Sequence, residues 1–399
     1  MKPVSPKLIL ALNYLIFLCF GMFMGGIGTV FNELAIQTSS SLTAIGGIIT
    51  FLFLGSLLAQ VAAGPLTDRF GHGNTLVAAL IILGLGIIGF TFARSLSVMF
   101  ALVFITGMGQ GGVDIGANLV VSDSAPEDNT SVLNLLHFFF GVGAFLGPAL
   151  IGLAIASTGS GLLVERLTAG ALVLLGVTIY FLLRNKASEA ARSSLKPEQK
   201  DQGFRVYLSP LLWLLGILMV AYVGLEFGLG SWITNYMRLT TGVALQYGAL
   251  ATSAFWGALA LGRLAGAAAS PRMTRMKLMT IALISSLVGA LGMIPSQGAI
   301  WPTVFCIAWI SFSFGTVYPT TVAYAIAEFP NEQGKAVGFL VALGNIGGIA
   351  LPWLAGILLV NSATLGYLGF ILLSVLAMLF VLFLIQRRNK QVPAVPSMD

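Results

Sequence analysis

The sequence predicts an all-α membrane protein of twelve transmembrane helices, arranged as two six-helix halves. Three observations carry this reading. Of 399 residues, 57% are hydrophobic and 9% charged, where a soluble domain carries about 25% charged residues, so lipid is the solvent for most of the chain. Twelve apolar runs are long enough to cross a hydrocarbon core of ~30 Å. The halves also echo each other at an offset near 204 residues: Pro126 and Glu127–Asp128 match Pro330 and Glu332, and Gly143, Pro148 and Gly152 match Gly347, Pro352 and Gly356.

Spans 1 to 6 fall near 8–30, 42–66, 75–93, 97–121, 132–157 and 163–184, and spans 7 to 12 near 208–236, 246–268, 275–294, 299–327, 336–360 and 364–386. Lys2 and Lys7 before the first run give it the look of a signal peptide. The run is too long for that and many equivalents follow, so it reads as span 1. RNKASEAARSSLKPEQKDQGFR (184–205) is the long polar stretch. The expected organisation is therefore an N-terminal half over 1–184, a linker over 185–207, a C-terminal half over 208–390 and a tail over 391–399.

The 48 glycines suit a membrane bundle, where small residues let helices approach closely. Cys19 and Cys306 both lie in apolar spans, which leaves no disulfide framework or zinc site to expect. Net charge is +6, but the basic residues are dispersed and point away from nucleic acid. If both termini are cytoplasmic, every Lys and Arg except Arg94, Arg166 and Arg238 lies on the cytoplasmic side. The positive-inside rule thus puts the termini and linker in the cytoplasm.

Asp114 and Asn118 sit one helical turn apart in span 4, within GMGQGGVDIGANLVV (107–121), so carboxyl and amide share a face. A charge at mid-bilayer costs roughly 2.5–3.5 kcal/mol on insertion scales and marks a functional site by default. Asn134 and His137 share a face at the start of span 5, where His137 could equally serve only to bond a neighbouring carbonyl. In span 7, YVGLEFGLGSW (222–232) puts Tyr222 on the face of a second intramembrane acid, Glu226. Gly224, Gly228 and Gly230 weaken that helix, as expected of a discontinuous span lining a site. Trp232 is off the Glu226 face in a regular helix and could join it if the helix unwinds. Trp256, Trp309 and Tyr318 are further aromatic candidates, with interfacial anchoring as the alternative. Asn345 in span 11 is a polar candidate, with helix–helix bonding as the alternative. Arg263, near the inner end of span 8, is expected to snorkel to the interface rather than pair with an acid.

GPLTDRFGHG (64–73), after span 2, resembles the loop motif G-x-L-a-D-r-x-G-r-k of the major facilitator superfamily. Gly64, Leu66, Asp68, Arg69 and Gly71 match it, while His72 and Gly73 replace its final basic pair. The resemblance implies the major facilitator fold, alternating access and a cytoplasmic gate built on Gly64, Asp68, Arg69 and Gly71. It names no substrate.

A narrower resemblance lies in spans 4 and 5. GGVDIGANLVV and LNLLHFFFGVGAFLGP (133–148) are similar to the fucose–galactose–glucose:proton symporters and their sodium-coupled glucose relatives, with Asp114, Asn118, Leu133 and Asn134 at the matching positions. The resemblance implies import of a hexose or deoxyhexose with H⁺ or Na⁺, Asp114 serving the ion. Substrate would meet Asn118, Asn134, His137, Tyr222, Glu226, Trp232, Trp256 and Asn345. The chemistry agrees: sugar hydroxyls need amides and carboxylates, and the ring's C–H surface suits aromatic faces. The fucose-type acid of span 1 is absent from FLCFGMFMGGIG (17–28), which weakens a copied two-carboxylate mechanism. Glu226 is the candidate for that second role, since span 7 repeats span 1. A bacterial inner-membrane location, function as a monomer in the lipid bilayer, and no cofactor beyond the co-transported ion complete the expectation.

GAFLGPALIG (143–152) partly resembles the span-5 motif of drug:proton antiporters, with Ile151 in place of a glycine. Multidrug efflux is therefore the alternative. The amide-rich set of Asn118, Asn134 and His137 argues for a hydroxyl-rich solute. No H-E-x-x-H, G-x-S-x-G or phosphate loop points to an enzyme.

Overall fold

Within lipid every backbone N–H and C=O must be satisfied inside the protein, which leaves helices as the form for long apolar runs. In the computed structural model, the described residues are 5–124, 129–183 and 205–391, and the side chains at 63, 64, 68, 129–131 and 389–391 lie outside that description. All the described segments are helical or connecting, with no strand among the described residues. Pro126, Glu127, Asp128 and the expected linker up to 204 lie outside them.

Span 1 is Pro6–Gly26, a 3₁₀ turn Ile27–Val30 and a short helix Phe31–Gln37. Span 2 is Leu42–Ile45 followed by Gly47–Phe70. Spans 3 to 6 are His72–Phe92, Leu96–Ser124, Asn129–Thr158 and Leu162–Leu183. Span 7 breaks as foreseen, into Pro210–Gly230 and Ile233–Thr241. Span 8 is Leu245–Ala269 and span 9 is Arg275–Gly292. Span 10 breaks into Ile300–Phe314 and Val317–Glu328, and spans 11 and 12 are Gln333–Asn361 and Leu365–Gln391. Among the described residues, 11 helical units are long and apolar enough to cross a membrane. Span 8 is the twelfth: its 25 residues are diluted by Ala, Gly and Arg263, and it is sandwiched between spans 5 and 10.

The repeat read from sequence is a structural repeat. Span 1 packs on 5 and 6, span 4 on 2 and 3, and span 3 on 6; in the second half 7 packs on 11 and 12, 10 on 8 and 9, and 9 on 12. The halves meet through spans 5 and 8 and, repeat-related, spans 11 and 2. Gly143 and Gly347, matched by the repeat, do the same work. A Cβ on Gly143 would strike the carbonyl oxygen of Leu18, and one on Gly347 that of Val220. Backbone cannot rotate away as a side chain can, and overpacking already costs about 1–3 kcal/mol where it can. Gly143→Val and Gly347→Val are each expected to lose most of the monodisperse protein in size-exclusion chromatography; recovery near that of the parent chain would refute this packing.

The bundle has two ends. The end holding residues 5, 72 and 335 is here the basic end, and the opposite one the far end. At the far end the breaks of spans 1 and 7 face each other, Gly28 lying directly on the backbone of Ser231. Asn32 donates to Asn235, and Arg238 Nη1 donates to Asn32 Oδ1 at 2.7 Å. Phe31 and Trp232 make an edge-to-face contact at 5.0 Å. These contacts close the far end.

Candidate functional site

Asp114 and Asn118 line a cavity of about 490 Å³ with Leu57, Gln60 and Val61 of span 2 and Gly338, Val341 and Ala342 of span 11. Small-molecule sites run to roughly 300–1,000 Å³. All the lining residues come from the halves of these spans nearer the basic end, which puts the cavity between the bundle's midplane and that end. Asn118 Nδ2 donates to the Asp114 carbonyl at 2.6 Å, which fixes the amide on this wall. The Asp114 carboxylate makes no hydrogen bond or ion pair with any described residue.

Gln60 escaped the sequence reading although an amide in an apolar span was signal enough. It accepts from Asn345 Nδ2 at 2.7 Å across the two halves. Asn345 therefore serves the helix–helix bond offered as its alternative, at the cavity edge. Bonds of this kind in membranes average about 0.6 kcal/mol. Asn345→Ala should accordingly lower thermal stability only slightly, and a collapse of the fold would contradict that weight.

Outside that lining, the second half holds a charged pair. Arg263 Nη2 lies 3.0 Å from Glu226 Oε1, with Glu226 nearly fully buried and the Arg263 side chain 34% exposed. This corrects the expectation that Arg263 snorkels. Pairing wins because Glu226, on the adjacent helix, would otherwise be a buried charge without a counter-ion. The Tyr222 ring packs edge-on against Phe314 at 5.3 Å and beside Tyr318 at 5.8 Å. Its buried hydroxyl lies next to the ion pair, within interaction range of Glu226 and Arg263. Tyr318 is within electrostatic reach of Asp114, Glu226 and Arg263, so it couples the cavity acid to the ion pair.

Asn134 and His137 are exposed on one face of span 5. The His137 ring meets Phe17 edge-on at 5.5 Å and lies within electrostatic reach of Arg263. The structure thus brings His137 toward the same space.

One tryptophan corrects the sequence reading. Trp232 is fully buried, its Nε1 donating to the Pro352 carbonyl at 2.8 Å and its ring pressed on Gly356 and Phe31. The helix does unwind beside it, but the break throws the indole into the far-end contact and away from Glu226. Trp309 lies on the outside of the bundle and donates to the Ser285 carbonyl at 3.2 Å. Trp256 is buried against Phe227 and Phe255, and its Nε1 has no hydrogen-bond partner among the described residues.

At the basic end, Gly71 joins spans 2 and 3 at φ +80°, a conformation that glycine adopts without strain. His72 Nδ1 lies 2.6 Å from Asp123 Oδ2, tying span 3 to span 4 at a position where the loop motif has a basic residue. Arg69 lies over the Phe70 ring at 5.2 Å. The side chains of Gly64 and Asp68 lie outside the described residues.

The sequence model of the Major Facilitator Superfamily matches residues 14–330. "Sodium-dependent glucose transporter 1" of Homo sapiens is 24% identical over 86% of this chain and 72% of its own length. "4-hydroxybenzoate transporter PcaK" of Pseudomonas aeruginosa is 24% identical over 90% of this chain and 88% of its own. Among solved structures, a mutant of the nucleoside transporter NupG superposes with a TM-score of 0.78 at 12% identity, covering 96% of this chain and 99% of that one. That last likeness is one of fold.

Proposed function

The chain belongs to the Major Facilitator Superfamily, and from that premise we propose that this multi-pass transporter imports a monosaccharide together with H⁺ or Na⁺. The observation that carries the reading is the unpaired Asp114 carboxylate on a cavity wall with two amides, Asn118 and Gln60. Within electrostatic reach of Asp114 is Tyr318, which is likewise coupled to the Glu226–Arg263 pair. Hydroxyls donate and accept, so a sugar can satisfy carboxylate, amide, guanidinium and phenol at once. A cation on Asp114 removes the cost of its unpaired charge. Similarity to a protein named a sodium-dependent glucose transporter supports the same reading. In the bacterial inner membrane we propose for it, the distribution of Lys and Arg supports cytoplasmic termini, with the cavity on the cytoplasmic side of the midplane.

Alternating access then follows from the two halves. The far-end contacts of spans 1 and 7 would part as the basic end closes, exposing the same residues to the other side. Ion and sugar each favour the occluded state, so each raises the other's affinity. The antiporter-like glycines of span 5 weigh little for efflux, because Gly143 and Gly147 are taken up by backbone contact with Leu18 and Met22.

One observation favours a second reading. The Arg263 side chain stays partly exposed beside Glu226, and a guanidinium also suits the carboxylate of an organic acid. Similarity to a protein named a 4-hydroxybenzoate transporter points the same way. Equilibrium binding of labelled hexoses and aromatic acids to purified protein separates the two. Hexose binding weakened at least about ten-fold by Asn118→Ala or Asn134→Ala, a loss of about 1.4 kcal/mol, supports the sugar reading. Binding of acids alone, lost with Arg263→Gln, replaces it.

A further inference from the structure

A third intramembrane acid plays no part in the cavity. Glu165 stands in the first turn of span 6 and is 1% exposed, and neither carboxyl oxygen has a hydrogen-bond partner among the described residues. It lies at the hinge of span 1: a Cβ on Gly26, where the first helix of that span ends, would come to 3.0 Å from Glu165 Oε1. The 3₁₀ turn that begins at Ile27 is the segment that closes the far end against Ser231.

The charged neighbours do not answer this carboxyl. Arg166, next in sequence, turns away: its Nη2 and Nε donate to the Thr91 carbonyl and hydroxyl at 2.9 and 3.2 Å, and its guanidinium covers Phe92 at 4.0 Å. Glu33 reaches in from the short helix after the 3₁₀ turn. It accepts from the Gly161 N–H at 2.6 Å and the Ser160 hydroxyl at 2.7 Å, so the anionic place at the N-terminus of span 6 is already filled. Spans 1, 3 and 5 pack on span 6, and besides Glu33 the titratable groups they carry are Lys7, Tyr14, His72 and His137 toward the basic end and Cys19 two turns before the Gly26 hinge. An ionised carboxylate buried with no counter-ion and no donor is prohibitively costly. A proton is the ligand that fits.

We propose that Glu165 is a proton site separate from Asp114, occupied while the far end is closed and emptied to the far side when spans 1 and 7 part. In the closed state Glu165 is a neutral carboxylic acid in an apolar pocket. Separation of the hinge admits water, the proton passes to it, and the carboxylate left behind is hydrated by that water. Proton loss and far-end opening are then one linked equilibrium. The proposal concerns the gate and stands whatever solute the cavity takes.

The test measures the gate and needs no substrate. With Cys19 and Cys306 replaced by Ala, spin labels go onto Ile36→Cys and Leu239→Cys, exposed positions on the two short far-end helices. In lipid nanodiscs the separated population should grow from acid to alkaline pH. Glu165→Gln, neutral at every pH, should hold the far end closed and cut that population about ten-fold at alkaline pH. Glu165→Asp should keep the response with a displaced midpoint. Infrared spectra should show the carbonyl band of a protonated carboxyl that Glu165→Gln lacks. An unchanged pH profile in Glu165→Gln, an undisplaced one in Glu165→Asp, or a response abolished by Asp114→Asn instead would overturn the assignment.

Discussion

Asp114→Asn is expected to abolish ion-driven accumulation while leaving exchange of substrate down its own gradient intact. The substitution keeps the shape of a cavity-lining side chain and removes its charge, in a wall where no other described acid is found. With one cation moved per substrate, a membrane potential of 100 mV supplies about 2.3 kcal/mol, or roughly fifty-fold accumulation. In the variant the ratio should fall to about one. Uphill uptake retained by Asp114→Asn, measured in proteoliposomes under an imposed H⁺ or Na⁺ gradient, would remove Asp114 from the coupling role.

The second large effect is expected at the Glu226–Arg263 pair. Removing one member of a buried pair strands the other, and such losses run to about 3–5 kcal/mol. Since the Arg263 side chain is about a third exposed, the lower end of that range applies to Glu226→Gln, which strands the arginine. Arg263→Met strands the more deeply buried carboxylate and should cost more. The double variant Glu226→Gln/Arg263→Met should recover much of the loss, because no charge is left unpaired. Thermal unfolding in detergent gives the comparison. A single Arg263→Met as stable as the parent, or a double variant no better than the single, would show that the pair carries no such weight.

The fold was legible because lipid imposes length and apolarity directly on sequence. The twelve runs, the repeat through Gly143 and Gly347, and the break after Gly230 all follow from helix geometry and glycine placement. Other features depend on packing between distant segments, which periodicity does not encode. Glu226 and Arg263 are 37 residues apart on neighbouring spans, and their bond is set by the angle at which those spans cross. Trp232 went astray for a related reason: the break was readable, the direction it gives the indole was not. Gln60 and Asn345 are each a lone amide in an apolar helix, and the bond they share became visible only once spans 2 and 11 were set side by side. Glu165 drew no attention in the sequence, where Arg166 stands next to it, and its isolation follows from Arg166 and Glu33 being engaged elsewhere.

Counterflow of a panel of labelled monosaccharides into proteoliposomes, with no ion gradient imposed, tests the central claim most directly, because exchange requires binding and turnover but no assumption about the driving ion. Uptake of a labelled hexose or deoxyhexose against an internal pool of the same sugar is the predicted result. Failure of every sugar, from protein that is folded and exchanges aromatic acids or lipophilic cations, would contradict it.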